Sequence, residues 1–169
     1  MILAYHQLYD PYHCVFRMTA ILNYFQRRCE IDTLRILDFF IIFQHLIPEV
    51  RWTRELRAEM KRHGLDKPHA PYVKLPGKKP LFRELSQIQN IALSHMVGRY
   101  LLDKDEFMDG IALLREKPGS QLGDKLDVFI NDKSSILSFF SAIAQSIPAR
   151  GTDGLKDRTG LMEFRYDAV

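Results

Sequence analysis

The residue types able to do chemistry crowd into residues 5–14, which hold three tyrosines, two histidines and a cysteine. His6, His13 and Cys14, with Asp10 beside them and Cys29 further on, are the ligand types of a metal site. Their spacing argues against one. Adjacent helical residues such as His13 and Cys14 point about 100° apart and do not converge on a single ion. A nucleophilic Cys14 would need a histidine within reach of an activated thiol. Neither a Gly-x-Ser-x-Gly turn nor a glycine loop that cradles phosphate occurs. No catalytic residue, metal ligand or cofactor is therefore assigned. The stretch reads more simply as a helix start, with Asp10 accepting from the first-turn N–H groups and Pro11 at the first helical position.

A second group of residues suits binding. The formal charge of +3 is spread unevenly, at −1 over residues 1–50, +6 over 51–79 and −2 over 80–169. Arg51, Arg54, Arg57, Lys61 and Arg62 fall on one expected helix, followed by Lys67, Lys74, Lys78 and Lys79 in a basic Pro/Lys-rich loop at 65–80. Such a run can track phosphates or face an acidic protein. Glu55 and Glu59 lie within helical reach and would neutralise part of it. A solvated helix face, a protein partner and DNA all remain open, with protein ahead of DNA. Tyr72, among the lysines, is an aromatic candidate for base stacking or for anchoring an interface.

The elements that must position these residues are mainly helical. Val15, Met18, Ile21, Leu22 and Phe25 recur at helical spacing over residues 11–26. Residues 32–45 are apolar on nearly every face, which predicts the centre of the core, with Pro48 as the stop. A third helix over 49–63 carries Trp52, Leu56 and Met60 inward and ends at Gly64. A fourth spans 81–100 and a fifth 134–146. Residues 101–116 fit either two short strands or a short helix, residues 117–123 a loop, and 128–130 a strand. Alternation over 161–166 predicts a C-terminal β-strand. The fold class is thus mainly α with a few short strands and five or more helices, in one domain over 1–169. Helices two to four with a hairpin at Gly110 are compatible with a winged-helix-like core. In that reading Gln87, Gln89, Asn90 and His95 take the recognition position, yet only Arg83 and Arg99 add cations there, which favours protein docking over reading the major groove.

Composition narrows the class. With 169 residues, 46% of them hydrophobic, the chain can bury a real core. Two cysteines without a Cys-x-x-Cys pair exclude a disulfide framework and fit a reducing cytoplasm. The most apolar run, 34–47, is too short and too interrupted to span a bilayer, so no membrane association is expected.

Both ends of the chain carry a family likeness. Ala4-Tyr5-His6 with Tyr9-Asp10-Pro11-Tyr12-His13-Cys14-Val15-Phe16-Arg17, and the closing Gly154-Leu155-Lys156-Asp157-Arg158-Thr159-Gly160-Leu161-Met162-Glu163-Phe164-Arg165-Tyr166, resemble the middle components of bacterial ABC-three-component systems. These are similar in role to the accessory subunit of Lamassu-type anti-phage defence. The resemblance implies a subunit that is not an enzyme and bridges an SMC-like ABC ATPase and an effector, often a nuclease. It supplies no catalytic residues. Its Tyr-Asp-Pro-Tyr-His-Cys block falls here on residues 9–14, so Tyr9, Asp10, Tyr12 and His13 are expected to form a structural or docking knot. From another class, a winged-helix DNA-binding transcriptional regulator is the alternative.

Overall fold

A computed structural model describes residues 8–67, 69, 71–72 and 74–163. His6 and the second half of the expected strand over 161–166 lie outside the described residues, and 161–163 form a bend followed by coil. The described residues are mainly helical. In chain order come α1 (Pro11–Phe25), β1 (Cys29–Glu30), α2 (Ile31–Ile42), a 3-10 segment (Gln44–Glu49), α3 (Arg54–Arg62), α4 (Lys78–Gly98), α5 (Lys104–Met108), β2 (Ile111–Ala112), α6 (Ser120–Asp132), α7 (Ser134–Ser146) and α8 (Leu155–Thr159).

The all-round apolar helix is the centre of the core, as its composition predicts. Phe39 and Phe40 of α2 are buried against opposite neighbours: Phe39 meets Phe82 of α4, and Phe40 meets Trp52, which in turn meets Phe139 of α7. Edge-to-face aromatic pairs of this kind add specificity to area burial. Trp52 keeps its indole N–H satisfied by donating to the Ile47 carbonyl at 2.8 Å. Around α2, α1 packs most extensively on α4, α6 covers α1, and α3 lies on α7.

Several expectations shift. The central helix ends at Ile42, and Pro48 sits inside the 3-10 segment that follows. Residues 101–116 form the short helix α5 and then the single strand β2, which pairs antiparallel with β1 through Cys29↔Ala112 and Glu30↔Ile111 rather than with a second strand of a hairpin turned at Gly110; Leu102 and Leu114 make an isolated antiparallel bridge. Gly110 supplies the turn before β2 with φ +80, a conformation that L side chains rarely adopt. The strand expected over 128–130 is instead part of α6, which begins inside the expected loop. Its single fully buried residue, Leu126, leaves Val128 on a solvent face, so three β-formers in a row sit on a helix. Lys78, Lys79 and Pro80 belong to the first turn of α4 rather than to the loop, and proline is tolerated where first-turn N–H groups have no helical acceptor.

Candidate functional site

The basic helix α3 is held by two simple devices. Thr53 caps it, its hydroxyl accepting from Leu56 N–H at 3.2 Å, and Leu56 and Met60 bury one face. The opposite face therefore presents Arg54, Arg57 and Lys61 outward at i, i+3 and i+7. None of the three forms an ion pair among the described residues, because Glu59 is taken by Arg62 at 2.7 Å and by His63 at 3.6 Å. Neutralisation within the helix thus misses the stripe.

Arg51 behaves differently. It precedes the helix and ties to α8, its guanidinium donating to the Asp157 carbonyl and carboxylate at 3.1 Å each. Arg158 answers by donating to the Arg51 carbonyl at 2.7 Å. This residue is a staple rather than a free cation. Tyr72 is wholly exposed and Lys74 exposed on the connection, while Lys79 faces outward from the first turn of α4 and Lys78 is half-buried beside Gly160. The structure hence divides the basic segment into a rigid stripe on α3, an exposed connection and a pair of lysines on α4.

The aromatic block at the start of α1 fastens that helix to α4. Asp10 caps α1, its carboxylate accepting from Tyr12 N–H at 2.9 Å. Tyr9 donates to Glu84 at 2.5 Å, and the Tyr12 ring meets His95 edge-on at 5.8 Å. Tyr12 nevertheless stays 73% exposed, and Ile91, four residues before His95 on the same face of α4, is exposed as well. His13 is exposed, its ring nitrogen 3.9 Å from the Asp10 carboxylate. The block both joins two helices and leaves an aromatic, apolar strip in solvent.

Sequence reasoning missed the buried polar centre beneath it. Asp38, 0% exposed, accepts from Arg17 at 2.6 and 3.2 Å, from Gln89 at 2.9 Å and from the Cys14 thiol at 3.6 Å. Gln89 also donates to the Arg35 carbonyl at 2.9 Å and accepts from the Arg35 guanidinium at 3.3 Å. Burial pushes the Cys14 thiol far up, and the Asp38 carboxylate adds to it, so this sulfur is not an activated nucleophile. Burial works against the Arg17 charge, yet the Asp38 carboxylate and its hydrogen bonds outweigh that and raise it. The signal was available in the sequence. Asp38 is the one charged residue in the apolar run 36–43, and Arg17 is the one Lys or Arg within α1; buried there, each is tolerable only as the other's partner. Gln89, placed among recognition residues on pattern alone, is consumed in this network, whereas Gln87 and Asn90 are exposed.

No group of three or more metal-ligating side chains occurs among the described residues, and both cysteines are buried free thiols. Over residues 3–167 the chain matches the family described as ABC-three component (ABC-3C) system Middle Component 5. The chain belongs to that family. Membership makes this Middle Component 5 chain an accessory-type part of a multi-component system, which implies protein partners. Neither a curated protein nor a solved structure matched it. In this Middle Component 5 chain Asp38, Arg17 and Gln89 are buried and spent on one another, while Arg54, Arg57 and Lys61 are exposed on one helix face.

Proposed function

We propose that this chain is a non-catalytic accessory subunit bridging an SMC-like ABC ATPase and an effector subunit, a nuclease, in an anti-phage or anti-plasmid defence complex. The role parallels that of the Lamassu accessory subunit. What carries the reading is the stripe Arg54, Arg57 and Lys61: three cations without ion-pair partners among the described residues, on a helix whose other face is locked into the core. Because the helix is fixed in the core, docking on it spares the backbone ordering that a basic loop would cost a complex. The exposed Tyr12 and Ile91, beside the half-buried His95, supply a second landing place on different elements, where aromatic anchors contribute more than area. Family membership supports protein partners in general. The reading places the complex in the cytoplasm, and no described helix is long and apolar enough to cross a membrane.

The test is co-purification of the tagged chain with the products of its operon neighbours. Arg54→Glu with Lys61→Glu is expected to lose one partner, and Tyr12→Ala with Ile91→Ser to lose the other, with each variant still folded. Retention of every partner by both variants would remove the assignment. DNA retained in place of protein, and shed by the α3 reversals, would favour the winged-helix regulator.

A further inference from the structure

We propose that the cleft between the first turns of α4 and residues 157–163 binds a small phosphate ester, with its phosphate on Arg35, Lys79 and Arg83. The cleft holds about 610 Å³, within the range of roughly 300–1,000 Å³ typical of small-molecule sites. Lys79, Arg83 and Ser86 stand on one face of α4 at i, i+4 and i+7, with Arg35 of α2 also in the lining. Gly160, Leu161 and Met162 line the other side.

The charges are what select the ligand. Three cations line the cleft against two carboxylates, Asp157 and Glu163. Asp157 is spent, one carboxylate oxygen held by Arg51 at 3.1 Å and the other by Asp153 N–H at 2.9 Å. Lys79 and Arg83 have no ion-pair partner among the described residues, and Lys78 reaches close to Gly160, where a Cβ would lie 3.9 Å from its ammonium nitrogen. Arg35 is held in place, its side chain only 16% exposed, donating to Gln89 and lying over the Phe82 ring at 5.9 Å. Its one ion-pair partner among the described residues, Asp32, is 3.9 Å away and is shared with Lys156, which binds it more closely at 2.8 Å. A fixed guanidinium that is poorly neutralised, with two further cations, suits a multiply charged oxyanion better than a single carboxylate, which one arginine can satisfy. The first turn of α4 adds to this, for it carries no acidic residue and no side-chain cap on its N–H groups. Leu161 and Met162 give the organic body of an ester an apolar wall. An ester should therefore bind more tightly than bare phosphate.

This site is independent of the bridging role, because its test uses the chain alone. Inorganic phosphate, adenosine and AMP are titrated into the full chain at constant ionic strength, read by calorimetry and by thermal melting. AMP is expected to bind saturably and raise Tm, phosphate to bind at least about tenfold more weakly, and adenosine to do nothing. Lys79→Gln with Arg83→Gln, two exposed positions, should leave the melting of the free chain unchanged and weaken AMP about tenfold or more. Arg35→Lys, which keeps the charge but loses the fork, should weaken it as well. Absence of saturable AMP binding overturns the proposal, as does AMP binding that the double variant leaves unchanged. A single-stranded oligonucleotide that binds where AMP does not would overturn it in favour of nucleic acid.

Discussion

Asp38 shows how much one residue can decide. Its carboxylate is fully buried and accepts from Arg17, Gln89 and Cys14, so α1, α2 and α4 meet at a single charge. Removing one member leaves a buried guanidinium unpaired, and Asp38→Ala should cost about 3–5 kcal/mol by urea unfolding. Replacing both ions, as Asp38→Leu with Arg17→Met, should cost less than either single change; a double variant as unstable as the sum of the singles would refute the pairing. The thiols give a second prediction, in alkali. Burial, helped by Glu30, pushes Cys29 from its ordinary 9.0 up to about 12, so the folded chain keeps it neutral while an unfolded chain ionises it. Stability from this group is complete below pH 9 and falls as pH rises towards 12, by up to about 1.4 kcal/mol per pH unit. Melting curves from pH 8 to 11 should slope less steeply for Cys29→Ala than for the parent, and parallel slopes would contradict the assignment.

Among the elements, α8 is the least promising by sequence and among the most tightly fastened. It is five residues long, too short to be stable alone, and survives because its neighbours grip it. Arg51 and Arg158 bond it to the lead-in of α3, Leu155 N–H donates to Pro148, and Ala149 N–H donates to Glu30 at 3.0 Å. Gly154 sits at the tightest point, where a Cβ would lie 2.3 Å from the Arg150 carbonyl oxygen. Backbone cannot yield as a flexible side chain can, so Gly154→Ala should cost about 1–3 kcal/mol in chemical unfolding. An unchanged midpoint would show that the loop relaxes freely. On α3 the faces predict opposite outcomes. Leu56→Ala should lose about 2–5 kcal/mol from the core, whereas Arg54→Glu should stay within about 0.5 kcal/mol of the parent. Period made α1, α3, α4 and α7 legible beforehand, since each has an apolar stripe, although α3 starts at Arg54 behind its Thr53 cap rather than at residue 49, so that Trp52 precedes it. The helix α6 was missed although Leu122, Leu126, Phe129 and Ile130 recur at i, i+4, i+7 and i+8, because the β-forming run 128–130 and the glycines at 119 and 123 read locally as strand and loop.

For the whole molecule, the proposed bridging role makes the exposed cations and aromatics the surfaces to test. Binding through the α3 stripe should weaken as salt rises from low to about 0.5 M, because exposed charges are screened beyond several ångströms. Retention of the partner in a salt-graded pull-down measures this, and insensitivity to salt would transfer the binding to the strip of Tyr12 and Ile91. By itself the sequence determined the helical class, the central apolar helix, the cap at Asp10 and the concentration of positive charge, because each depends on neighbours within a few residues of one another. Only the tertiary structure decided which charges were already answered. Arg51 finds Asp157 across 106 residues and Asp38 finds Gln89 across 51, while Arg54 and Lys79 find nothing among the described residues. Pairing over such separations is a property of packed helices, and no local period records it.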